Sequence, residues 1–156
     1  MRSAPYRTEL GTGWVAFLGD RAESIVLPGG PAPAPKAEPS EPIAGFIEEI
    51  EAWFSGRGRS IVHEDLCERA GRTRFERAVY RVVSTIPPGA TRTYAEVAAE
   101  AGSPGAARAV GAAMARNPFA PLIPCHRVVG SDGRLHGYAG GLEMKARLLA
   151  EEAGRG

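Results

Sequence analysis

An α/β N-terminal part over residues 1–70, followed by a mainly α part over 71–156 that holds a helix-turn-helix, is the fold class this sequence predicts. Three observations carry it. Short β-branched and aromatic runs cut by Gly and Asp fill the chain up to Leu27, as in an antiparallel meander. One amphipathic helical pattern then ends at Ser55-Gly56. Beyond Arg72, helical patterns follow one another, two of them separated by a tight turn containing Gly102.

The bulk properties bound the rest. At 156 residues the chain makes one ordinary domain or two small ones. A hydrophobic fraction of 44% and a charged fraction of 24% are those of a soluble globular protein. No run of about 18 apolar residues exists, which excludes a helical membrane span. The start, MRSAPYRTELGTG, lacks an apolar core, so no secretory signal is expected. Cys67 and Cys125 cannot make a disulfide framework, and a reducing, cytoplasmic setting with both thiols free is expected. Residues 1–70 carry 7 Lys+Arg against 11 Asp+Glu, whereas residues 71–156 carry 12 against 7. The basic half suits a polyanionic partner such as nucleic acid.

In chain order, Tyr6–Leu10, Trp14–Leu18 and Glu23–Leu27 form the meander, with Gly11-Thr-Gly13 as a turn. Residues 28–42, PGGPAPAPKAEPSEP, lack core residues and are expected to be an extended, mobile loop. Ile43, Phe46, Ile47, Ile50 and Phe54 then line one face of a helix. Residues 57–70 read as irregular. His63 and Cys67 within them have no further ligands nearby, so no metal is expected.

Thr73 with Glu76 is a capping-box start for a helix that buries Phe75, Val79, Val82, Val83 and Ile86 and stops at Pro87-Pro88-Gly89. A second Thr-x-x-Glu start opens the helix Thr93–Ala101, and a third helix is expected from Pro104 to Arg116. That third helix is almost all Gly and Ala, so its backbone can approach a partner closely, with Arg108 and Arg116 as its long cationic side chains. A hairpin turn at Gly130–Gly133, a short strand Leu135–Ala139 and a final helix Leu142–Glu152 complete the chain. Leu142, Leu148 and Leu149 mark the buried side of that last helix.

The chemistry concentrates in Asn117–Val129, where Pro118, Pro121 and Pro124 make a turn rigid without helix or strand. Rigidity suits a nucleophile that must meet its substrate in one orientation. The thiol of Cys125 would be only about 3% ionised at pH 7 if unperturbed, so it needs a base or cation beside it. Side chains of neighbours on extended chain diverge, so His126 is expected to reach Cys125 through a water. A carboxylate, Glu152, is expected to orient the imidazole.

Ala107-Arg-Ala-Val-Gly-x-Ala113, Asn117-Pro118, Pro124-Cys-His-Arg-Val128 and Tyr138-x-Gly-Gly-Leu142 together resemble the O6-alkylguanine-DNA alkyltransferases, also called methylated-DNA–protein-cysteine methyltransferases. The resemblance covers roughly residues 73–152, in order and in spacing. It implies a ribonuclease-H-like N-terminal domain and a winged-helix, helix-turn-helix C-terminal domain. It implies transfer of a methyl or other alkyl group from O6 of guanine, or O4 of thymine, to Cys125 in one irreversible step, with no cofactor consumed. The partner would be alkylated double-stranded DNA, entered from the minor groove by a monomer, with the target guanine flipped out of the stack. Cys125 would be the acceptor, His126 the base working through water, Glu152 its orienting acid, and Asn117 the hold on the turn. Tyr94 would rotate the target phosphate and offer its hydroxyl to N3 of guanine, so that the base leaves neutral. The carbonyls of Cys125 and Val128 would accept from the exocyclic amine, Tyr138 would pack on the alkyl pocket, and the Ala139 N–H would lie near O6. Arg108 would fill the gap left by the flipped base, with Ala107, Gly111 and Arg116 on the DNA-binding face. Ala139 stands where some relatives carry Ser, a change that keeps the backbone N–H. Two other classes fit the residues: a non-catalytic lesion-binding or regulatory helix-turn-helix module, and a Cys-His-Glu hydrolase.

Overall fold

The computed structural model describes residues 1–57, 61–132 and 141–155. They fall into two compact units, Met1–Arg59 and Ser60–Gly156. The first holds strands β1 (Arg2–Thr8), β2 (Gly11–Leu18) and β3 (Arg21–Val26) in the antiparallel order β1-β2-β3. Gly11 makes the turn into β2 with a φ of 118°, a conformation closed to most side chains. Gly13 is not part of the turn. It pairs with Tyr6 across the sheet, and a Cβ there would lie 2.1 Å from Cζ of the Tyr6 ring. Tyr6 lies flat over that glycine, fully buried, and donates its hydroxyl to the carbonyl of Val26 at 2.8 Å.

Helix α1 (Glu41–Phe54) packs on β1 and β3 with Ile43, Ile47, Ile50 and Phe54 inward, and Phe54 stacks on Tyr6 at 5.8 Å between centroids. Phe46, expected on that buried face, is half-exposed. The Pro/Ala-rich segment corrects a second expectation, because it docks on the sheet. The Ser3 amide donates to Pro35 O at 2.9 Å, Ala37 N donates to Ser3 O at 3.1 Å, and Ser3 Oγ donates to Ala34 O at 2.6 Å. Lys36 lies 5.2 Å over the ring of Trp14. Proline lacks a donor but keeps its carbonyl, so such a chain can still satisfy an edge strand's amide.

In the second unit, residues expected to be irregular form helix α2 (Glu64–Ala70), which buries Leu66 and Cys67 and packs on α3 (Arg74–Ser84). Two acids at its start and Arg69 near its end complement the helix dipole. Two turns of helix are too short for a periodic signal. Because α2 joins α3, the boundary between the units falls at 59/60 instead of 70/71. Thr73 Oγ1 caps α3 by accepting from Glu76 N at 3.1 Å, but the Glu76 carboxylate reaches back to Arg72 N, not to Thr73. Tyr80 is buried in α3 where Val82 was expected, and its hydroxyl donates to Ala113 O at 2.7 Å.

Helix α4 (Tyr94–Glu100) starts with the full capping box: Glu96 N donates to Thr93 Oγ1 and Thr93 N to the Glu96 carboxylate. Helix α5 (Ala107–Ala115) begins later than Pro104, because Ser103–Ala106 closes a turn of its own, Ala106 N to Ser103 O at 3.0 Å. Gly105 is a poor helix former and lets that turn persist. Strands β4 (Arg92–Thr93) and β5 (Val128–Val129) pair in parallel and tie the start of α4 to the residues after Cys125. Helix α6 (Leu142–Arg155) closes the unit; Leu148 is buried, Leu149 half-exposed, and the Leu142 side chain lies outside the described residues. The expected strand Leu135–Ala139 also lies outside them, as does Gly133 of the hairpin turn. Among the described residues no helix is long and apolar enough to cross a membrane.

Gly13→Ala should force the Tyr6 ring off the sheet. A loss of about 1–3 kcal/mol, as for overpacked cores, is expected in urea denaturation; an unchanged midpoint would show that the ring is not seated on the glycine.

Candidate active site

The turn that carries Cys125 is built around one amide side chain. Asn117 follows the end of α5 and is buried; its Oδ1 accepts from Phe119 N at 3.0 Å, and its Nδ2 donates to Ile123 O at 2.8 Å. The same Nδ2 donates to Cys125 Sγ at 3.1 Å. Asn117 therefore closes the loop 117–123 and also presents a hydrogen-bond donor to the sulfur. Such a donor favours thiolate over thiol. Arg69 of α2 lies 5.3 Å over the ring of Phe119, bracing the turn from outside.

Cys125 opens a short 3-10 turn, Cys125–Arg127, all of it buried. The Cys125 carbonyl already accepts from the Val128 amide, which leaves one lone pair of that oxygen for a ligand. His126 Nε2 lies 2.9 Å from Glu152 Oε1. The expected imidazole–carboxylate pair is thus in place, delivered from the end of α6. Arg127, given no role from the sequence, completes it. Its Nε donates to both carboxylate oxygens at 3.0 and 3.1 Å, its Nη2 donates to Oε2, and its Nη1 donates to Ile86 O at 2.7 Å.

This arrangement decides the charges. Burial pushes the Glu152 carboxyl up, but the hydrogen bonds and charges of His126 and Arg127 outweigh it and hold the group at about 2. His126 is pushed below its ordinary value, first by burial and then by Arg127 and Lys145, against the opposing pull of Glu152. At neutral pH the resting site is therefore Arg127⁺, Glu152⁻ and neutral His126. A neutral imidazole can accept a proton; with Nε2 held by the carboxylate, the proton-accepting nitrogen is Nδ1.

The recognition candidates gather elsewhere on the unit. Tyr94 and Ala95 of α4 and Ala107, Arg108 and Gly111 of α5 line a cavity of about 480 Å³, closed by residues 130–132. That size is within the range of about 300–1,000 Å³ usual for ligand sites. Four of the five DNA-binding candidates, Tyr94, Ala107, Arg108 and Gly111, therefore share one wall. The fifth, Arg116, does not line the cavity. It ends α5 and pairs with Glu76 of α3 at 2.7 Å, which anchors the helix. Burial raises the Tyr94 phenol above its ordinary value, with the charge of Cys125 adding to it. Val128 is buried in β5, whereas Tyr138 and Ala139 lie outside the described residues. Cys67 is held by Ser84 at 3.5 Å, and burial pushes its thiol up, as fits a structural cysteine. No cluster of metal ligands occurs among the described residues.

The sequence reading missed Arg127 and Lys145, both of them buried. A signal was present: Lys145, Leu148 and Glu152 recur at i, i+3 and i+7 and so share one helix face. If Glu152 turns inward, Lys145 must do so too.

The second unit thus sets a buried cysteine held by an amide in sequence with a buried His–Glu–Arg cluster, and carries a helix pair that bears an arginine-lined cavity. Residues 74–154 match the family described as "6-O-methylguanine DNA methyltransferase, DNA binding domain". The chain belongs to the 6-O-methylguanine DNA methyltransferase family. The methylated-DNA–protein-cysteine methyltransferase of Mycolicibacterium paratuberculosis is 47% identical over 109 residues, 70% of this chain and 64% of the relative. The matched stretch thus spans just under two thirds of that relative's length. Among solved structures, Mycobacterium tuberculosis OGT in complex with DNA superimposes with a TM-score of 0.73 at 30% identity, over 99% of this chain and 94% of that one. The O6-methylguanine-DNA methyltransferase of Pyrococcus kodakaraensis gives 0.64 at 26% identity, over 97% and 98%.

Three outcomes follow from the site. Glu152→Gln leaves the Arg127 guanidinium buried without its counter-charge, and a loss of about 3–5 kcal/mol is expected in urea denaturation. Both His126 and Glu152 bind protons more weakly folded than unfolded, so stability should fall with pH, first below about 6.5 through His126, then from about 4.5 toward 2 through Glu152. A thermal midpoint flat from pH 7 to pH 3 would contradict this. Asn117→Ala removes the donor on sulfur, and the rate of Cys125 with iodoacetamide at pH 7 should drop about 3- to 10-fold, the worth of one hydrogen bond.

Proposed function

We propose that this chain repairs DNA by taking a methyl or other alkyl group from O6 of guanine onto Cys125, once per molecule. The observation that carries the reading is the contact of Asn117 Nδ2 with Cys125 Sγ, beside a neutral His126 held by an ionised Glu152. A thiol so placed can lose its proton toward Nδ1 of His126, through water, and attack a saturated carbon. The product is a thioether, and no group in the site can hydrolyse it, so a second turnover has no route. Glu152 does not take the proton; its two bonds from Arg127 keep it ionised while it steadies the imidazolium.

O6 of guanine is inside the base stack, so the base must flip out to meet Cys125. The small residues of α5 suit entry into the minor groove, where Arg108 takes the place of the flipped base. Tyr94 donates to N3, so that guanine leaves as a neutral molecule. Val128 O, Tyr138 and the Ala139 N–H complete the pocket. Family membership and the DNA-bound Mycobacterium tuberculosis structure support this assignment. We read the first unit as ribonuclease-H-like and the second as a winged-helix domain, acting as a cytoplasmic monomer without metal or cofactor.

Incubation with duplex DNA carrying O6-methylguanine, followed by intact mass measurement, tests the reading. One methylene mass should be gained, stopping at one equivalent and absent in Cys125→Ser. Binding without mass change would make the chain a lesion-binding module, and repeated turnover of an acyl substrate a hydrolase. Arg108→Ala should slow transfer from duplex DNA at least about tenfold, since it withdraws part of the few kcal/mol that unstacking requires. Transfer from single-stranded DNA should fall much less.

A further inference from the structure

Tyr80 is fully buried in α3, which packs on α5, and a Phe would fill the same space with no hydroxyl to desolvate. The hydroxyl donates at 2.7 Å to Ala113 O, a carbonyl in the last turn of α5. A carbonyl oxygen has two lone pairs, and Arg116 N takes the second of Ala113 at 3.2 Å. In a helix continuing past Arg116, Ala113 O would be the acceptor of Asn117 N. Asn117 N instead donates to Met114 O, at 3.4 Å. Pro118 also steers Asn117 away from helical geometry, yet it leaves the acceptor of the Asn117 amide open. The phenol closes that choice. The other attachment from α3 to this turn, Glu76 to Arg116 at 2.7 Å, joins an exposed arginine and is worth little beside a buried bond.

We infer that Tyr80 is a positioning residue for Cys125: by occupying Ala113 O it ends α5 at Arg116, and so turns the Asn117 side chain into the loop and onto Cys125 Sγ. The inference deepens the alkyl-transfer reading and rests on it only for the transfer step. Asn117 spends its side chain on Phe119 N, Ile123 O and Cys125 Sγ, three contacts that all lie in the loop beyond α5. Without the phenol oxygen, Ala113 O has a lone pair open where the next helical amide points. Asn117 N can then take it, which winds α5 on by one residue and draws Nδ2 off the sulfur. Loss of that donor disfavours the thiolate, so Cys125 reacts at higher pH. Burial and then the charge of Glu76 push the Tyr80 phenol up to about 12, against the pull of Arg116. The hydroxyl therefore stays protonated, and donating, across the range in which a thiol titrates. The charge of Cys125 adds to the same rise, which places phenol and sulfur within electrostatic reach of each other.

The reaction of Cys125 with iodoacetamide should be followed from about pH 6 to about pH 10, a range that spans an ordinary thiol. Mass measurement of the Cys125 peptide keeps it apart from Cys67. The proteins are wild type, Tyr80→Phe, Asn117→Ala and the double variant; Tyr80→Phe removes one oxygen and keeps the ring in the core. Tyr80→Phe should move the half-maximal pH upward, in the direction of Asn117→Ala. It should also slow the reaction at pH 7 by about 2-fold or more, up to the Asn117→Ala loss. The double variant should be no slower than Asn117→Ala, because the phenol acts through Asn117. Gly13→Ala, destabilised in the first unit, should keep the wild-type midpoint. Tyr80→Phe with the wild-type rate and midpoint, or losses that multiply in the double variant, overturns the proposal. So does a Gly13→Ala shift as large as that of Tyr80→Phe, which would make the effect one of stability alone. Single-turnover transfer from O6-methylguanine duplex DNA should slow in Tyr80→Phe by a similar factor. Wild-type protein that gains no methyl group overturns the alkyl-transfer reading, and the iodoacetamide comparison still decides this inference. Wild-type transfer with an unaffected Tyr80→Phe overturns this inference alone.

Discussion

The second unit depends on one buried carboxylate. Glu152 sits near the end of α6, accepts from His126 and is forked by Arg127, and Arg127 reaches on to the carbonyl of Ile86 at the end of α3. Three segments distant in sequence are thereby locked around the turn that carries Cys125. Buried charges cost several kcal/mol each to desolvate, and the cost is offset only when every donor finds its acceptor. Here the geometry also sets chemistry: a carboxylate saturated by a guanidinium stays ionised, so the adjacent imidazole is steadied without losing its own ability to take a proton.

Asn117 extends this logic from charge to backbone. It satisfies an amide and a carbonyl of a turn that has no regular hydrogen-bonding pattern, and it spends a second donor contact on sulfur. The same residue follows Arg116, the C-cap of α5, so α5 and the turn of Cys125 are tied at one side chain. At its other flank α5 is held by the Arg116–Glu76 ion pair and by the Tyr80 hydroxyl on Ala113. Beyond the buried Val110, Ala113 and Met114, α5 has little side-chain bulk to pack. Three polar attachments from α3 and the turn compensate.

The first unit solves a different problem. A three-stranded sheet has two open edges, and β1 is one of them. The Pro/Ala-rich segment lies along it through Ser3, blunting the edge with a chain that cannot itself propagate a ladder, since proline has no N–H to offer. Composition announces a segment without a core of its own; it does not announce that a neighbouring strand will hold that segment.

Local pattern in the sequence determined the meander, α1, both Thr caps, the α4–turn–α5 order and the Pro-rimmed turn around Cys125. Each of these rests on neighbouring residues: periodicity, capping spacing, or the rigidity of proline. Tertiary structure decided what depends on partners far along the chain. It made α2 a helix because α3 offered a surface for Leu66 and Cys67, shifting the unit boundary. It converted Gly13 from a turn residue into the seat of the Tyr6 ring, and moved Arg116 from the cavity to Glu76. It turned Arg127 from a motif letter into the clamp on Glu152, and set Lys145 against Tyr94. Each of these is a contact between residues at least seven positions apart in the chain, and most join different elements. Residue type states which contacts a side chain can make; only the packed chain decides which partner arrives.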